Sequence, residues 1–132
     1  MTRQTIDIDS DFHKSLPFAT GVEVSESVLY TAGLTARDDA GEPVGLGDMA
    51  KQFEFISYRL QQLADAARIN FDNMAKITKF VTDIDQAYAD PSQWRCYFTG
   101  RPASTLVEVS RRKSPEILAE IEAVFHMSDD SD

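Results

Sequence analysis

The stretch from about Asp48 to Ala67 limits the fold more than any other part of the chain. Met49, Phe53, Ile56, Leu60, Leu63 and Ala67 recur at steps of four and three, which sets them on one stripe of an α-helix. Asp48 can cap its N-terminus. Lys51, Glu54, Arg59 and Asp65 fall mostly off the stripe. A helix with one apolar face must bury it, and the rest of the chain supplies strands to receive it. Ile117, Ala119, Ile121, Ala123 and Phe125 alternate with Leu118, Glu120, Glu122 and Val124, the period-two pattern of a strand from Ile117 to His126.

Further strands are expected at Thr5–Ile8, Gly21–Val24, Val28–Ala32, within Met74–Asp83, and at Ser104–Ser110, where Thr105, Val107 and Val109 share a face. Ser25-Glu26-Ser27 is a plausible hairpin turn, and Asp38 to Pro43 is dense in turn formers. Asp90-Pro91 should open a second helix that runs through Trp94 and Phe98 and stops at Gly100. The order β-β-β-α-β-α-β-β, with helices able to cover one side of a sheet, indicates an α+β sandwich. One domain is expected over residues 1–127, followed by an acidic, disordered tail over 128–132.

The chain has 132 residues and a formal net charge of −9. Its one basic cluster, Arg111-Arg112-Lys113, reads as a solvated loop. A surface of that overall sign repels phosphate backbones, so no nucleic-acid partner is expected. No apolar run approaches the roughly 18 residues of a membrane span. The first residues lack the pattern of a signal peptide, and the default location is cytoplasmic. The single cysteine, Cys96, excludes an intrachain disulfide and sits in a predicted helix as an inert residue. His13 and His126 lie far apart without metal-ligand spacing, so no metal site is expected. Gly45-Leu46-Gly47 lacks the residues of a phosphate loop.

Chemistry points to Glu120 and Glu122. Alternate strand residues share a face, so the two carboxylates lie roughly 7 Å apart along the strand. Two acids beside Leu118 and Val124 can serve as a general acid or base. They can equally be a solvated strand face or partners of arginine at an interface.

Three stretches resemble one family. Val28-Leu29-Tyr30-Thr31-Ala32-Gly33-Leu34 is similar to an apolar strand ending in Ser-Gly-Gln. Residues Phe71 to Asp83, ending Thr78-Lys79-Phe80-Val81-Thr82-Asp83, are similar to a segment Asp-Asp-Val-Val-Lys followed by Thr-Val-Phe-Val-Lys-Asp. Arg101 to Val109 and Ala119-Glu120-Ile121-Glu122-Ala123-Val124 resemble Pro-Ala-Arg-Ser-x-Val-Glu-Val and Val-Glu-Ile-Glu-Ala-Ile. On these motifs the chain resembles the Rid (YjgF/YER057c/L-PSP) family over about residues 15 to 127. The resemblance implies a chorismate-mutase-like α+β fold, a homotrimer and small-molecule clefts between subunits. It also implies hydrolysis of enamines and imines there, without metal or organic cofactor. In that chemistry an arginine grips the substrate carboxylate, while a glutamate and backbone groups position water.

Carried over residue by residue, the resemblance keeps the glutamate as Glu120. It places Ser104 where the family has its arginine, Ala32 at the serine before glycine, Phe18 at a tyrosine and Leu106 at a cysteine. The family's asparagine falls near Pro91. Serine cannot replace a bidentate arginine, and loss of such a partner in a desolvated cleft costs roughly 2–5 kcal/mol. The expectation is therefore a divergent member, unlike the standard 2-imino acid deaminases. Its cleft would take a larger or less charged ligand with Glu120 as acid or base, and Arg101 could reach in from the preceding loop. The competing function is a trimer that binds a metabolite without turning it over. A third, the family's older label of ribonuclease, is opposed by the charge and by the absence of a His or Lys/Arg catalytic cluster.

Overall fold

Helix and strand form where the two hydrophobic periods place them, and they meet face to face. The computed structural model describes residues 3–24, 27–89 and 91–127. Six strands make one mixed sheet: β1 (Arg3–Ile6), β2 (Gly21–Val24), β3 (Val28–Thr31), β4 (Met74–Val81), β5 (Ala103–Glu108) and β6 (Ala119–His126). Their order is β1-β2-β3-β6-β4-β5, with β4 and β5 parallel and every other pair antiparallel. The helices are α1 (Asp11–Lys14), α2 (Met49–Ala66) and α3 (Ile84–Ala89), joined by 3₁₀ turns at Phe71–Asn73 and Pro91–Phe98. This is an α+β sandwich in which the helices cover one face.

The long helix starts and stops where its caps put it. The Asp48 carboxylate accepts from the Lys51 backbone N–H, and Ala67 is the C-cap. Phe53, Ile56, Leu60 and Leu63 are fully buried against Leu29, Ile77, Val81, Ile121 and Phe125 in one core. The β6 alternation holds: Ala119, Ile121, Ala123 and Phe125 face the helix, while Glu122 is exposed on the other side.

Three expectations need correction. Arg59, placed off the apolar stripe, is 2% exposed. The 35–45 loop folds over it, so its guanidinium donates to the Arg37 carbonyl and the Asp39 carboxylate and lies against Phe55 and Tyr58. The helix expected to open at Asp90-Pro91 is a 3₁₀ helix over Pro91–Phe98, and it is preceded by α3, which is not among the expected elements. Trp94 and Tyr97 from the 3₁₀ helix pack into the core, and the Tyr97 hydroxyl donates to the Phe53 carbonyl. Strand β1 lies two residues earlier than its alternation suggests, at Arg3–Ile6. Asp90, the acidic tail and part of the 25–27 turn lie outside the described residues.

Because Leu60 is fully buried at the centre of the α2–sheet interface, Leu60→Ala is expected to lower unfolding free energy by about 2–5 kcal/mol. Tyr58→Ala, at a half-exposed position on the same helix, should cost far less. Urea denaturation of both variants measures the difference.

Candidate functional site

Where β3 ends, Thr31 mends the ladder with β6. Its hydroxyl accepts from the Ala123 N–H and donates to the Ala32 carbonyl. The chain then turns at Ala32-Gly33 and rejoins β6 through the Leu34–Ile121 bridge. Glu120, one residue before Ile121, lays its side chain over this corner. A Cβ on Gly33 would lie 1.9 Å from Glu120 Oε2, so only glycine leaves that carboxylate its place.

The other carboxylate oxygen is held by Arg112, a member of the basic run whose composition suggests a solvated loop. Glu120 Oε1 accepts from Arg112, whose guanidinium also lies 5.8 Å from the Phe80 ring centroid. Gln52, fully buried on α2, anchors the segment before β6. It donates to the Glu116 carbonyl at 2.7 Å and accepts from the Leu118 N–H at 2.9 Å. The Arg112–Ile117 loop is thereby fixed beside Glu120.

These elements wall a cleft of about 600 Å³. Phe18, Ala32, Glu120, His13, Arg37 and Lys113 line it. Three cationic side chains, Arg37, Arg112 and Lys113, face one carboxylate, so the cleft is positive within an acidic protein. In two of its lining residues, Arg112 Nε and Ser114 Oγ are buried without a hydrogen-bond partner among the described residues.

His13 is buried at the cleft's inner end. Its backbone N–H donates to Ser10 Oγ, and its Nδ1 shares a 2.6 Å hydrogen bond with the same hydroxyl. Burial, reinforced by Arg59, lowers its pKa below the ordinary histidine value, against smaller opposing effects of Asp39 and Asp7. The ring is neutral at pH 7.

The remaining candidates lie elsewhere. Ser104 and Leu106 stand on β5, the exposed edge strand, in register with Ile77 and Lys79. Arg101 is exposed with φ of 54°, turning the chain from the 3₁₀ helix into β5, and does not reach the cleft. Parity separates the two groups. Glu120 pairs with Phe80 and shares its helix-free face, whereas Leu106 and Ser104 share the helix-covered face with Lys79. Among the described residues there is no cluster of metal-ligating side chains, and no helix long and apolar enough to cross a membrane.

Fold and cleft together define a class of small α+β protein with a cleft beside a six-stranded mixed sheet. The sequence profile of the family described as Endoribonuclease L-PSP matches residues 10–127, and the chain belongs to that family. Solved structures agree on the fold. The yeast protein YEO7 superposes with TM-score 0.85 at 19% identity, over 96% of this chain and all of that one. YyfA of Yersinia pestis, a protein of unknown function of the conserved Rid family, gives 0.84 at 23% identity, over 95% and 99%. A Mycobacterium tuberculosis member of the YjgF/YER057c/UK114 family gives 0.76 at 22%, over 95% and 99%. No curated protein matches the sequence.

Two outcomes follow. Gly33→Ala should displace the flexible end of Glu120 while the fold persists, leaving the melting temperature within a few degrees and weakening any ligand held at Glu120. For His13, stability is full above the unfolded-state pKa of about 6.5 and is lost as pH falls below it, because the unfolded chain binds the proton more readily. His13→Gln should flatten the fall in stability between about pH 6.5 and pH 5, read by thermal denaturation at each pH.

Proposed function

We propose that this protein is a Rid-type hydrolase acting on the C–N bond of an imine or enamine, in a cleft completed by a second copy of the chain. The observation that carries the reading is the placement of Glu120 at the rim of a preformed cleft. One of its oxygens is held by Arg112 and the other lies over Gly33. A carboxylate so fixed can orient water and accept its proton.

In the reaction, water oxygen adds to the imine carbon while Glu120 takes one water proton and passes it to the imine nitrogen, giving a neutral carbinolamine. The tetrahedral carbinolamine then collapses. Glu120 takes the hydroxyl proton and passes it to the leaving nitrogen as the C–N bond breaks, and ammonia and a carbonyl compound are released. No electrons are exchanged, and no metal or organic cofactor is needed.

Phe18 and Ala32, where the family resemblance implies hydroxyl-bearing residues, make the cleft less polar, which favours a larger or less charged substrate than the smallest 2-imino acids. The need for a second copy rests on parity: one chain sends Glu120 and Ser104 to opposite faces of its sheet. Tyr30 and Val107 leave apolar surface on the helix-free face, and β5 is an unpaired edge, both suited to association into the trimer that the family resemblance implies. The Arg112–Glu120 pair favours a second reading, a trimer that binds a metabolite with the carboxylate already engaged.

The test generates 2-imino acids from alanine, leucine and phenylalanine with an amino-acid oxidase and traps them with semicarbazide. The protein is expected to speed loss of the leucine and phenylalanine imines more than that of alanine. Glu120→Ala should abolish the effect, by about 100-fold or more. Absence of acceleration with all three, alongside calorimetric binding of the corresponding 2-oxo acids, would establish the binding reading instead.

A further inference from the structure

Lys79 is the odd residue of the core. It is 5% exposed, and no carboxylate lies within ion-pair distance of it among the described residues. Its ammonium donates to Ser104 Oγ at 2.7 Å and lies 4.6 Å from the Trp94 ring centroid and 4.7 Å from that of Phe98. Burial, with a smaller contribution from nearby Lys76, lowers its pKa to about 8. The group therefore carries its charge at neutral pH in a place that penalises charge. Two aromatic faces and one hydroxyl give it partial compensation. Exposed Ser104 and partly exposed Phe98 mark where the ammonium approaches the surface.

The position is informative as well as the environment. In the segment similar to Thr-Val-Phe-Val-Lys-Asp, Lys79 stands where the family pattern has valine. Ser104, its hydrogen-bond partner on β5, stands where the pattern has the arginine that grips the substrate carboxylate. The two substitutions meet in space. A cation leaves β5 and a cation enters on β4, with its nitrogen at hydrogen-bond distance from the vacated position.

We propose that Lys79 is the anchor for a substrate carboxylate, in place of the missing arginine, with Ser104 steering its ammonium toward the β5 edge, where a second copy completes the cleft. The proposal rests on the hydrolase reading above for the identity of the site. It narrows that reading: the ligand keeps an anionic group even though Phe18, Ala32 and Leu106 make its surroundings less polar. Arg112 is the weaker claimant, because its guanidinium already serves Glu120.

Lysine is a point charge, whereas arginine is a planar fork. The ligand is therefore held by one charge-assisted contact and is free to pivot about it, as a bulkier side chain requires. An ammonium retained only for stability would behave differently on removal. A buried, unpaired charge opposes folding, so Lys79→Met should raise the melting temperature, whereas a structural strut would lower it.

The experiment uses the full chain and calorimetric titration with 4-methyl-2-oxopentanoate and its methyl ester. The wild type is expected to bind the acid more tightly than the ester. Lys79→Met should weaken the acid by about 30-fold or more, leave the ester unchanged, and raise the melting temperature. A double variant, Lys79→Val with Ser104→Arg, returns the cation to β5 and should recover most of the acid affinity. Equal wild-type affinity for acid and ester, or undiminished acid binding by Lys79→Met, would overturn the proposal. Failure of the anchor and failure of the hydrolase reading remain distinguishable. Undiminished acid binding in Lys79→Met, with imine turnover still lost in Glu120→Ala, removes the anchor alone. Acid binding that depends on Lys79, without turnover of any imine, removes the hydrolase alone.

Discussion

Strands β4 and β6 run antiparallel through the middle of the sheet, with α2 on one face and no helix on the other. Their register sets Phe80 opposite Glu120 and Val81 opposite Ala119. Neighbouring residues on a strand point to opposite faces. Lys79 and Phe80 therefore carry the sheet's two chemical sides back to back, one into the helix layer beside Trp94 and one beneath Arg112 and Glu120. A one-residue slip in this pairing would exchange the faces and destroy both groups at once. Ile77, Val81, Ile121 and Ala123 resist such a slip, since each would lose its place under α2.

Periodic features are legible in the sequence, and features made by loops are not. The stripe on α2 and the alternation on β6 are repetitive signals, and both elements lie within two residues of their expected ends. Glu120 is legible because it lies on that alternating strand. Arg112 is not, because a short basic run has the composition of a solvated loop whether or not one member turns inward. Its role depends on the Gln52 contacts to residues 116 and 118, far away in sequence. Arg59 escapes for the same reason: the 35–45 loop that buries it has no period to read. The 3₁₀ helix at Pro91–Phe98 is hidden by a sequence that can serve equally as α-helix. Lys79 leaves one clue, a cation at a position whose strand neighbours two residues either side, Ile77 and Val81, are apolar core.

Charge distribution separates what the protein repels from what it accepts. The chain as a whole is strongly acidic, which opposes a polyanion spread over its surface. The cleft reverses that sign locally through Arg37, Arg112 and Lys113, and its low-dielectric walls of Phe12, Leu16 and Phe18 strengthen the local field. The sign of the cleft lining therefore differs from that of the chain as a whole. This distinction matters for a family whose description carries the word endoribonuclease.

A charge moved between strands is a different event from a charge lost. Along the sequence, Ser104 and Lys79 look unrelated. In the reading proposed above, they are one exchange across the β4–β5 pair. The Lys79 side chain is long enough to bring its nitrogen to the hydroxyl that stands in for the arginine stem. The exchange alters the physics of recognition. A guanidinium on an exposed edge strand keeps its charge at any working pH and matches a carboxylate in two places. An ammonium drawn under Trp94 and Phe98 keeps its charge only below about pH 8 and matches in one. Such a site discriminates less by the orientation of the acid and more by what fills the cleft beyond it. On the reading proposed above, Phe18 and Ala32 in the cleft lining would select the ligand's side chain rather than mark a decayed site.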